Sequence, residues 1–249
     1  MNKPHPKTFS RLILWEIENN LNLPSLALIV ASAIIAVLVQ SATTAKFTHS
    51  YTDLYIDTST ILILTLVTCT LFSHSFAGSF GKGDLKRTLS YPVKRWQVFL
   101  SKTIAINLII FSIYASAYAM NLYINAANLL EPMFYVPLFA MYLQLLFACA
   151  ISVGISMITK NELISLITSF LLLLGLDNTF NFNSIFTSGA RFRFIFGYFE
   201  QIFHSGAHSI SDIPITFEQF TGSILFPLLT STVVMIVAFI YFTRKLEVD

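Results

Sequence analysis

The chain is 249 residues long, 55% hydrophobic and only 11% charged, with a formal net charge of +2. Soluble globular domains carry about 25% charged residues, so this composition excludes that class, and the near-neutral balance gives nucleic-acid binding no electrostatic support. The 24 phenylalanines need an apolar medium, which lipid provides, and the two cysteines, Cys69 and Cys149, lie inside apolar runs where no disulfide framework or Cys-rich metal site can be read.

The first residues carry Lys3, Lys7 and Arg11, followed by a polar stretch and then a long apolar run. This lacks the short apolar core and small-residue cleavage site of a secretory signal, so the segment is expected to be retained. Residues 8–21 place Phe9, Leu12, Ile13, Ile17 and Leu21 at helical spacing, with Arg11, Glu18 and Asn19 among the polar positions. This pattern predicts a helix lying in the membrane interface, with Trp15 at headgroup level. Pro24 marks the turn into the first span.

A spanning helix needs about 20 mostly apolar residues. Six runs follow: Leu23–Ala45, Thr58–Phe80, Val98–Ile124, Phe134–Ile158, Asn161–Leu176 and Phe220–Phe242. Lys, Arg, Asp and Glu are nearly absent from them, with Lys102 and Glu162 near ends, as the cost of burying charge at mid-membrane requires. The fifth run is short. Only Thr159–Glu162 separates it from the fourth, which predicts an antiparallel hairpin.

With the N-terminus in the cytoplasm, 12 of the 15 Lys and Arg residues fall on the cytoplasmic side. Lys46, Arg191 and Arg193 are the remainder, so the positive-inside rule places both termini inside. The external connection 177–219 is long and rich in aromatic residues, unlike a disordered linker. Phe192, Ile195, Phe196, Phe199 and Phe203 sit at helical spacing there, predicting short helices that dip into or lie on the outer leaflet. Arg191 and Arg193 would meet lipid phosphates or an anionic substrate, or the segment would only anchor in lipid.

Residues 81–97 form the one sizeable cytoplasmic loop. Asp84 is suited to cap a helix after Gly83. Leu85 and Leu89 share a helical face, away from Lys86 and Arg87. Pro92 disfavours helix at Tyr91 and suits the start of the next one. The prediction is a two-turn surface helix whose apolar face is too small to anchor in lipid and fits a groove on a partner. On charge alone, a basic loop touching anionic lipid would account for it.

The ordered stretch Gly83–Arg95, followed by Lys102, resembles the cytoplasmic loop of the ABC-2 type transporter permeases. That family commonly shows Gly-Thr-Leu, then Leu-Leu-Ser, then Pro-Val-Ser-Arg, then a Lys. Gly83, Leu85, Leu89, Ser90, Pro92, Val93, Arg95 and Lys102 match; Asp84 replaces the usual Thr, and Ser79 and Gly81 stand where glutamates are frequent. Motif-level similarity covers about 25 residues; the topology resembles the family over nearly the whole chain.

The resemblance implies an all-α membrane protein with six transmembrane helices in a single transmembrane domain over 1–249. An N-terminal elbow helix, cytoplasmic termini and external re-entrant or interfacial helices between spans five and six complete it. It implies a multi-pass permease subunit of an exporter in the cell membrane. Asp84, Leu85, Lys86, Arg87, Leu89, Pro92 and Arg95 would dock against a separate ABC ATPase subunit holding ATP and Mg. The implied partners are that ATPase, membrane lipids and a second permease copy or paralogue, with spans two and five lining the interface. An accessory or anchoring subunit, or a membrane-embedded lipid-modifying enzyme, are the alternatives.

The chain is not expected to be an enzyme or to hold a cofactor. Gly78–Gly83 looks like a phosphate loop, but its spacing is short and Gly83 follows Lys82 where Ser or Thr is required. No HExxH, GxSxG or zinc-deaminase pattern occurs. Within the spans, Gln40, His74, Asn107, Asn121 and Gln144 should face other helices or a cavity. His74 is expected to be hydrogen-bonded within the bundle. His204 and His208, four apart, lack the further ligands of a metal site.

Overall fold

A computed structural model describes residues 9–44, 58–81, 93–124, 135–179, 184–203 and 215–245. Every described element is helical: α1 (Phe9–Asn20), α2 (Leu23–Thr44), α3 (Thr58–Ser75), α4 (Ala77–Gly81), α5 (Arg95–Ile124), α6 (Tyr135–Thr159), α7 (Glu162–Thr179), α8 (Ser188–Phe203) and α9 (Phe217–Ile240), which ends in a π-helical turn, Tyr241–Lys245. Thr60–Phe80, Arg95–Met120, Tyr135–Thr159 and Phe217–Arg244 are each long and apolar enough to cross a membrane. A fifth crossing is counted if α1 and α2, bent by 78°, act as one broken span.

The bend has a local cause. Asn22 breaks the helix and its Oδ1 accepts the Ser25 amide at 3.0 Å, capping α2 with Pro24 in the first turn. α1 then lies along α5, burying Leu12, Glu16 and Asn20 and exposing Leu14. The helix expected over residues 8–21 is therefore present, with one face committed to the protein.

α6 is the central post. It packs against α9, α3, α7, α8 and α5, and its buried residues run from Val136 to Met157. The expected α6–α7 hairpin closes at Lys160, whose φ of 50° is the left-handed cap that ends a helix. Asn161 starts α7 by accepting the Ile164 amide at 3.2 Å. α9 opens with a capping box: Thr216 accepts from the Gln219 amide, and the Gln219 side chain accepts from the Thr216 amide.

Burial separates inner helices from outer ones. The Thr60–Phe80 apolar window is 72% buried within the chain, whereas that of Phe217–Arg244 is 22% buried. α9 turns Leu225, Leu229, Val233 and Val237 outward, and α7 turns out Leu163, Ile164, Ile167 and Leu171. Apolar faces of this extent fit a lipid environment.

Inside, α3, α6 and α7 meet along a seam of small polar groups. The Ser165 hydroxyl lies 2.9 Å from that of Ser73 and 2.7 Å from that of Ser156. Ser152 donates to the Cys69 sulfur at 3.3 Å, and Gln144 Nε2 to Thr65 Oγ1 at 3.3 Å. Small hydroxylated side chains let backbones approach and pair across helices where lipid gives no hydrophobic drive.

The helix expected in the long connection is α8. Phe192, Ile195 and Phe196 are buried as α8 packs against α6 and α9.

Candidate functional site

α1, the α3–α4 break, the start of α5, the α6–α7 turn and the end of α9 converge at one end of the bundle. An aromatic cluster fills it: Phe76 meets Phe99 at 5.6 Å, and Phe99 meets Phe239 and Phe242 at 5.6 and 5.5 Å. α3 breaks at Phe76, and Ser79 stabilises the break: its hydroxyl donates to the Ser75 carbonyl at 2.6 Å and stands 2.9 Å from that of Phe76. Such local bonds compete with the helical ladder.

Two charged constellations flank this break. On one side Lys102, on α5, sends its ammonium to the Ser75 carbonyl at 3.1 Å. A cation there meets carbonyls that end α3 and the negative end of its dipole. Glu16 of α1 faces the same ammonium, with Oε2 3.9 Å from Nζ. Glu16 is 0% and Lys102 7% exposed, and neither Glu16 carboxylate oxygen has a hydrogen-bond partner among the described residues. Burial raises the Glu16 carboxyl above the ordinary carboxylate range, and the Lys102 charge pulls it back down.

On the other side the His74 Nδ1 of α3 lies 2.7 Å from the Glu162 Oε1 of α7. Both side chains are about two-fifths exposed, at 40% and 41%. Gly78 of α4 makes this approach possible, because a Cβ there would stand 2.7 Å from Glu162 Oε2. The break is thus tied to α1 and α5 through Lys102, and α4 abuts α7 at Glu162.

Of the predicted docking residues, Arg95 is described. It is exposed at the first residue of α5. The preceding Lys94 amide donates to Gln97 Oε1 at 3.0 Å, and Trp96 lies 5.8 Å from Phe9 of α1. Asp84, Leu85, Lys86, Arg87, Leu89 and Pro92 lie outside the described residues, as do His204 and His208. The side chains of Gln40 and Asn121 are also outside them. Gln144 and Asn107 are buried against other helices, as expected, and His74 is hydrogen-bonded within the bundle.

Arg191 is a correction. It is 4% exposed and its guanidinium points inward, to Gln144 Oε1 at 2.5 Å and the carbonyls of Phe186 and Ile185 at 2.9 and 3.3 Å. It also lies over the rings of Phe147 and Phe226. Burial lowers its pKa, and the nearby Asp177 carboxylate raises it. Asp177 in turn accepts the Ser188 amide at 2.6 Å and the Ser188 hydroxyl at 2.7 Å, capping α8. These groups hold α8 in place and turn the guanidinium toward the protein interior.

Glu16 is the functional candidate that sequence reasoning missed. One helical turn after Leu12 and one residue before Ile17, it falls within the apolar stripe of α1, and a carboxylate there signals a buried partner.

The family model for an ABC-2 family transporter protein matches residues 17–187, from within α1 to the segment before α8. No curated protein matches the chain.

Proposed function

This chain belongs to the ABC-2 transporter family, and on that premise we propose that it is the membrane-spanning permease subunit of an ABC exporter, driven by a separate ATPase. The reading takes α2, α3 with α4, α5, α6, α7 and α9 as six crossings. α7, at 18 residues, is about 27 Å long, close to the apolar thickness of a bilayer. The charged end is then cytoplasmic, α1 lies in the inner interface, and α8 is a re-entrant helix in the outer half. A second permease copy or a paralogue completes the assembly, with the exposed apolar face of α7 available to it.

One observation carries the coupling role. Residues 82–92 leave from α4 and rejoin at α5, and both attachment points are tied into the bundle. α4 abuts Glu162, and the end of α3 that leads into it is braced by the Ser75–Lys102 contact. The α5 start is braced by Phe9 of α1 against Trp96. A push on the loop by an ATPase closing on ATP would therefore reach α1, α3, α5 and α7 together. ATP must favour one arrangement of these helices over the other for any net movement.

The test is pull-down from detergent followed by transport. A soluble protein with Walker motifs should co-purify, and an ATPase-dead partner should stop export. Leu85→Asp with Leu89→Asp should uncouple ATPase from permease while leaving the bundle folded. Unchanged co-purification and transport in that variant would remove the coupling assignment.

A further inference from the structure

A fully buried carboxylate without one hydrogen bond is costly, and such groups call for an explanation. Replacing a buried ion pair by apolar residues is often neutral or stabilising, so stability alone does not account for Glu16 and Lys102. Their geometry suggests why the pair is incomplete. The Lys102 ammonium has acceptors on two sides: on Ser75 the carbonyl at 3.1 Å and the hydroxyl at 3.5 Å, and on α1 the Glu16 carboxylate at 3.9 Å. A direct ammonium–carboxylate bond measures about 2.7–2.9 Å, so the ammonium is about 1 Å short of Glu16. The Ser75 carbonyl, by contrast, has a second donor, the Ser79 hydroxyl at 2.6 Å. It stays satisfied if the ammonium leaves. The cost that would normally pin the ammonium at Ser75 is thereby reduced.

We propose that Glu16 and the Ser75 carbonyl compete for the Lys102 ammonium, and that this competition is a two-position latch between α1 and the α3–α4 break. In the position observed, Lys102 braces the end of α3 and Glu16 is left short. In the other, Lys102 closes onto Glu16, binds α5 to α1 and leaves the break on Ser79 alone, so α4 is freer to swing. The device belongs to this chain and stands whether or not an ATPase is the partner.

The test is amide hydrogen exchange over Ala77–Gly81 in the full chain in lipid nanodiscs. Glu16→Gln removes the charged competitor, so the ammonium stays at Ser75 and exchange slows several-fold. Lys102→Met removes the brace, and exchange speeds up several-fold. Adding Glu16→Gln to Lys102→Met changes nothing further, because no ammonium remains to compete for. A pair that only supports the fold would give faster exchange in both single variants, and that result, or no change on Glu16→Gln, overturns the latch. Should Glu16→Gln not fold, Glu16→Met removes the same charge and is read in the same way.

Discussion

Buried charge is treated in opposite ways at Arg191 and at Glu16. At the end where α8 enters, Arg191 donates to one side chain and two carbonyls, and both Asp177 oxygens are occupied. At the opposite end the Glu16 carboxylate has no hydrogen bond among the described residues, and His74 and Glu162 are partly in solvent. A satisfied polar network in low dielectric is rigid, because any departure leaves a donor or acceptor unpaired. An incompletely satisfied one has less to lose by rearranging. The difference teaches that the Arg191–Asp177 network holds α8, while the latch proposed at Glu16 and Lys102 has room to change partners.

The strongest way to break this comparison is at Arg191. Arg191→Leu leaves the Gln144 oxygen and two carbonyls without their donor and strands Asp177 beside a neutral neighbour. Breaking a buried polar pair in this way costs about 3–5 kcal/mol, which thermal unfolding in detergent would register as a large loss. Arg191→Lys should not restore it, since an ammonium cannot reproduce the planar fork or lie in the same way over Phe147 and Phe226. A cost below about 1 kcal/mol, the value of an exposed pair, would mean that this end is no firmer than the other. A smaller effect is expected at Asp177. Asp177→Ala removes the cap from the first residue of α8 and should cost about 1 kcal/mol, with faster amide exchange confined to the start of that helix.

The same contrast explains what could be read from the amino-acid order. The apolar runs were legible because lipid imposes length and composition directly on each segment. The Thr159–Glu162 turn was legible because two runs too close to be linked by a loop must form a hairpin. The helical spacing of Phe192, Ile195 and Phe196 announced α8, yet a period reports a face and not what covers it. Gln144 lies 47 residues from Arg191, and only tertiary packing brings them together. Arg191 therefore read as a free cation when it is a clamp. Glu16 was hidden for a related reason: its neighbours made an interfacial helix the natural reading, and the partner at Lys102 is on another element. The family loop was legible as a motif, and of the residues predicted to dock against a partner Arg95 alone is among those described.

The finest test of the comparison is the His74–Glu162 contact, where the expected effect is smallest. Both groups are about two-fifths exposed, and solvent-screened pairs contribute about 1 kcal/mol at most. His74→Gln and Glu162→Gln should therefore shift thermal unfolding little. Gly78→Ala puts a methyl group 2.7 Å from the Glu162 Oε2 position. That contact is with the end of a flexible side chain, so the carboxylate rotates away and the helix survives. The consequence is a specific non-additivity. Once Gly78→Ala has displaced the carboxylate, His74→Gln has no bond left to remove, and the double variant should match Gly78→Ala alone. If the two effects instead add, the contact does not brace α4, and the partner-changing junction shrinks to Glu16, Lys102 and Ser75.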